Sequence, residues 1–106
     1  MFNREEYIIS LIKDMNIIDK LKLGIAFFSS SYINTKFNKK ELFEKMDNKL
    51  KNIDKTYIMS FSGIYNNTLV MFVMSKVMEF TKEEQNRIAI YLVNCTWVFI
   101  INIDYI

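Results

Sequence analysis

Apolar side chains recur along the first half of the chain at the spacing of an α-helix. Ile8, Leu11, Ile12 and Met15 fall on one face at steps of three and four. Asn3, three residues before Glu6, has the form of a capping box at the start of that helix. Leu21, Ile25, Phe28 and Tyr32 continue the period in a second helix, with Asp19 as the expected cap and Gly24 as a weak point. A serine-led stretch from Ser29 to Phe37 reads as a loop. Asn38 and Glu41 form a second capping box. The Leu42, Phe43, Met46, Leu50 and Ile53 stripe that follows has polar residues on every other side, so a third, amphipathic helix is expected.

The pattern changes after residue 55. Thr56 to Tyr65 and Thr68 to Val77 are short apolar runs that suit either two buried helices or one β-hairpin. Ser75, Lys76 and Glu79 make a polar stripe at helical spacing. Against that, Asn66-Asn67 accepts the positive φ values of a tight turn, and folding there pairs Phe61 with Phe72 and Met59 with Met74. The Thr, Tyr, Ile and Phe content fits a pleated surface, and the hairpin is the preferred reading. Thr81 and Glu84 then cap a further helix carrying Ile88, Tyr91, Leu92 and Cys95. From Thr96 to Ile106 the chain is rich in Val, Phe and Ile, and its end alternates with a period of two, the mark of a strand.

The expected fold is therefore α+β: three N-terminal helices, a β-hairpin, a helix and a C-terminal strand, in one compact domain spanning residues 1–106. The alternative is an all-α bundle of about six helices.

Composition narrows the chemistry. Of 106 residues, 51% are hydrophobic, which is ample for one packed core and excludes a disordered chain. There is no His, so no imidazole base and no zinc site of the usual type is expected. Cys95 has no partner, which excludes a disulfide scaffold. No P-loop, dinucleotide fingerprint or nucleophile elbow occurs, and Ser29, Ser30 and Ser31 lack a base. The acid pairs Glu5-Glu6 and Glu83-Glu84 sit in first turns of helices, where the macrodipole favours them. No catalytic residue, cofactor or metal is expected. The start of the chain lacks a basic region followed by an apolar run, so a cytoplasmic location is expected. The apolar stretch Ile88 to Ile103 falls short of the roughly 20 residues of a spanning helix and is broken by Asn94, Thr96 and Asn102, so no membrane partner is expected.

Charge and exposed aromatics point instead to adhesion. The net charge is +2, but residues 36–55 carry seven lysines against four acids. Lys39, Lys40, Lys45, Lys49 and Lys51 are the expected contact residues on the third helix, with Tyr57, Phe61 and Phe72 as an apolar patch on the hairpin. The expected function is a small, non-catalytic interaction module that blocks a macromolecular partner, of the kind encoded by viruses or mobile elements. Its partner would be another protein or a second copy in a homodimer, since a hairpin apolar on both faces needs covering. No small-molecule substrate is inferred.

Three resemblances bear on the alternatives. Three helices followed by a hairpin is similar in order to a winged helix-turn-helix, which implies DNA binding through the lysine-rich helix 38–52. Leu42 to Asp47 resembles a BH3 helix in its spacing, with Met46 where that family has a small residue. The all-helical alternative resembles viral Bcl-2-like proteins, without their Asn-Trp-Gly-Arg signature, which implies a groove for a partner helix.

Overall fold

A computed structural model describes residues 3–53 and 67–101, and every regular element among them is a helix. In chain order these are α1 (Arg4–Asp14), α2 (Ile17–Ser29), α3 (Lys39–Ile53), α4 (Thr68–Val77) and α5 (Lys82–Ile101).

The α+β expectation is thereby corrected to all-α. Thr68 to Val77, expected as the second hairpin strand, is a helix whose buried residues Val70, Val73, Met74 and Val77 follow one another at steps of three, one and three. That is one helical face, and it outweighs the β propensity of the valines once the face meets a core. Asn67, expected in a hairpin turn, is the N-cap of α4: its Oδ1 accepts from Val70 N at 3.1 Å. The residue types that favour tight turns also favour helix caps, which is how the two readings diverged. Thr96 to Ile101, expected as strand, is the end of α5. Thr96 is fully buried there, and its hydroxyl donates to Leu92 O at 2.9 Å, so a β-branched polar residue is accommodated inside a helix. Thr56 to Tyr65 and residues 102–106 lie outside the described residues.

The other start signals hold in the structure with one exchange. Asn3 Oδ1 accepts from Glu5 N and Glu6 N at 3.0 and 3.1 Å. Asn38 Oδ1 accepts from Glu41 N at 3.2 Å. The Thr81–Glu84 box closes in both directions, at 3.1 and 3.2 Å. For α2 the cap is Asn16, not Asp19: Asn16 Oδ1 accepts from Asp19 N at 2.8 Å. Asp19 instead accepts from Asn67 Nδ2 at 2.8 Å, tying the first turn of α2 to the start of α4. Tyr32, expected on the second helix, lies beyond it and is exposed.

The arrangement centres on α2, which packs against α3, α4 and α5. Its sequence is apolar nearly all round, and Leu21, Leu23, Gly24, Ile25, Phe27 and Phe28 are buried. Gly24 permits the approach of α3: a Cβ there would stand 2.2 Å from Met46 Sδ. The 30–38 loop folds back over this core, with Phe37 edge-on to Phe28 at 6.3 Å between ring centres.

Three segments meet at Gln85, which is buried at 4% exposure. Its Nε2 donates to Val77 O at 3.0 Å and Phe80 O at 3.3 Å, and its Oε1 accepts from Asn34 N at 3.1 Å. One side chain thus satisfies backbone groups of the α4–α5 turn and of the 30–38 loop. On the surface, both arginines of the chain join α1 to α5. Arg4 Nε donates to Glu84 at 2.9 Å and its guanidinium lies 4.6 Å from the centre of the Phe80 ring; Arg87 Nε donates to Glu5 at 2.7 Å.

Candidate functional site

Both α3 and α5 rest on α2, but they meet each other at few points, and a groove of about 380 Å³ opens between them. The α3 wall is built by Asn38, Glu41, Leu42 and Lys45, which recur at i, i+3, i+4 and i+7 and so share one face. Val93, Asn94 and Trp97 build the α5 wall, and Phe37 closes one end. Ile90, exposed three residues before Val93, shares the helical face of the α5 wall one turn earlier. Leu42 is buried and Trp97 is 40% exposed. Trp97 is the chain's single tryptophan.

The charges at this groove are matched locally. Lys45 Nζ lies 3.4 Å from Glu41 Oε1 and 5.5 Å from the centre of the Trp97 ring. An exposed ammonium over an indole is worth about 0.5–1 kcal/mol, enough to hold the lysine stem over the ring. The charged residues of α5 all lie in its first two turns, so its groove wall is uncharged.

The lysine face expected on the third helix is not presented as one array. Lys49 is only 5% exposed, because it falls on the Leu42–Met46–Leu50 side of α3. Lys39 is half-buried: its Nζ donates to Ser30 O at 3.0 Å and to Ile33 O, supplying a cation to the C-terminal end of α2, which has none of its own. Lys45 pairs with Glu41, and Lys51 Nζ pairs with Asp47 at 2.8 Å. Lys40 is exposed. Phe72 is 37% exposed on α4 beneath Lys76 Nζ, 5.6 Å from its ring centre, and does not line the groove. Tyr57 and Phe61 lie outside the described residues. Of the expected contact residues that are described, the groove contains Lys45 alone.

Sequence reasoning misses this wall because the strand expected from Thr96 onward separates Trp97 from Val93 and Asn94 on the preceding helix. Had α5 been read as helical to its end, Ile90, Val93, Asn94 and Trp97 would have emerged as one face at i, i+3, i+4 and i+7.

Other candidate groups have structural roles. Ser29 Oγ donates to Ala26 O at 3.3 Å, and Ser30 Oγ accepts from Tyr32 N at 3.2 Å. Burial pushes the Tyr91 phenol above its ordinary value, and its hydrogen bond with Cys95 adds to the effect. Glu84 is pulled down to about 2, first by its hydrogen bond with Arg4 and then by the Thr81 N–H. Among the described residues no group of His, Cys, Asp or Glu is placed to hold a metal ion, and no helix is long and apolar enough to cross a membrane.

No protein-family model, curated protein or solved structure matches the chain.

Proposed function

We propose that the protein is a non-catalytic interaction module that seats the apolar face of a helix from another protein in the α3–α5 groove, and acts by blocking that partner. The observation that carries this reading is Trp97, an exposed aromatic flanked by Val93 and Leu42 in the groove between two helices. Tryptophans in such settings are the residues most enriched among binding hot spots. A groove walled by two helices offers parallel ridges into which a third helix fits, with anchors at i, i+3, i+4 and i+7. The uncharged α5 wall penalises an unpaired charge in the occupant, which selects an apolar edge. The reading places the protein in the cytoplasm, where a lone cysteine stays reduced.

The test is selection of binders from a displayed library of helical peptides against the purified protein. Binders are expected to shift Trp97 fluorescence on titration and to lose binding in W97A and in N94R, which puts a charge into the groove at an exposed position. Peptides that bind N94R and W97A as well as the wild type, or a library that yields no binder, would overturn the reading. Ultracentrifugation of the protein alone reads the rival occupant. A dimer dispersed by N94R would assign the groove to a second copy.

A further inference from the structure

We propose that a second, polar cleft binds a small phosphate-bearing anion. It lies between the 30–38 loop and the first two turns of α5, has a volume of about 340 Å³, and shares no lining residue with the α3–α5 groove. That volume is in the range of about 300–1,000 Å³ found for small-molecule sites. Every lining side chain is polar or charged: Lys36 and Thr35 from the loop, and Lys82, Glu83, Asn86 and Arg87 from α5. Three cations from two separate elements therefore converge, against Glu83 in the lining and Glu5, which pairs with Arg87.

The donors here are largely uncommitted. Neither Lys36 Nζ nor Lys82 Nζ makes a hydrogen bond or ion pair among the described residues. Arg87 uses Nε on Glu5, which leaves its two terminal nitrogens without a partner among the described residues and fixes the guanidinium at the cleft. Asn86 Oδ1 accepts from Lys36 N at 3.1 Å, which pins the loop to α5 and leaves the Asn86 amide N–H groups without an acceptor among the described residues. Asn34 N is held in the same way by Gln85. The cleft is thus bounded by a loop fastened to a helix at two points, so its cations are positioned before a ligand arrives. A site with several N–H donors, excess positive charge and no apolar residue in its lining matches the tetrahedral oxygens of phosphate, which an arginine fork and lysine ammoniums bind through charge-assisted hydrogen bonds. Glu83 opposes such a ligand and sets the affinity lower than the cation count alone would give.

The test is a titration of the isotope-labelled full chain with inorganic pyrophosphate, followed by amide chemical shifts at constant ionic strength. The proposal expects saturable shifts concentrated at Lys36, Lys82, Glu83, Asn86 and Arg87, with a dissociation constant in the millimolar range or tighter. K36A/K82A, at exposed positions, should weaken binding about tenfold or more. E83Q should tighten it severalfold, an outcome that simple loss of structure cannot mimic. Unsaturable shifts scattered over all lysine-bearing surfaces would overturn the proposal, as would equal affinity in wild type and K36A/K82A.

Discussion

Replacing Gly24 by alanine puts one methyl group between α2 and α3. The new Cβ would stand 2.2 Å from Met46 Sδ and 2.9 Å from Met46 Cε, while its 3.8 Å approach to Leu92 Cδ2 is ordinary contact. Met46 is fully buried, so its thioether yields only by displacing neighbours or leaving its rotamer. Overpacking of this kind costs about 1–3 kcal/mol. Against it stands the helix propensity of alanine over glycine, about 0.8–1.0 kcal/mol. The net expectation is a loss of about 1 kcal/mol, and a fall in Tm of roughly 4–8 °C for a domain near this size. Urea and thermal unfolding of G24A measure it. The decisive arm is the same substitution in a Met46→Ala background, where the clashing atoms are gone. There G24A should be neutral or stabilising by up to about 1 kcal/mol, although M46A alone costs about 2–5 kcal/mol. Equal effects in both backgrounds, or a stabilised G24A single variant, would refute the account of α2–α3 contact.

Three further outcomes are expected. Because Glu84 is held down to about 2, its ion pair with Arg4 contributes stability above the ordinary carboxylate pKa of about 4.3 and loses it as pH falls toward 2; E84Q, which keeps the capping acceptor, should be less stable than wild type at pH 7, with the gap in urea midpoint closing at acid pH. Gln85→Leu conserves volume but strands Asn34 N and Phe80 O and takes one of two donors from Val77 O, which keeps Phe80 N; a loss of roughly 1–3 kcal/mol is expected, with faster hydrogen exchange at Asn34, and unchanged exchange would show the loop to be held otherwise. Asn67→Ala removes the cap of α4 and its tie to Asp19; about 1–2 kcal/mol of destabilisation and a drop in helical circular dichroism should result, whereas a hairpin at this place would lose no helical signal.

The helix starts at Asn3, Asn38 and Thr81 were legible because a cap is a local bargain: a side chain three residues away satisfies a backbone N–H, and nothing distant enters. The core faces of α1 and α3 were legible for the same reason, since their polar flanks leave one stripe to bury. In the central and C-terminal segments apolar residues lie on nearly every side, so periodicity alone does not choose between helix and strand. There the choice fell to the packing partner: α2 offers α4 one face, filled by Val70, Val73, Met74 and Val77.

The candidate site shows the same division. Sequence located a surplus of lysine on residues 36–55, but not which lysines would reach water. Lys49 turns into the core and Lys39 closes the end of α2, because neighbouring elements supply a buried surface and bare carbonyls at those points. The groove around Trp97 exists only because two helices far apart in the chain both pack on α2 and meet each other at few points, and the cleft at Arg87 only because a loop is pinned to the start of α5. What the amino-acid order settles alone is the capping boxes at Asn3, Asn38 and Thr81 and the stripes of α1 and α3 that seek burial, since these depend on neighbours within one helical turn. Grooves, clefts and the fate of a given lysine depend on where helices cross, and that is decided by the shapes that meet in the core.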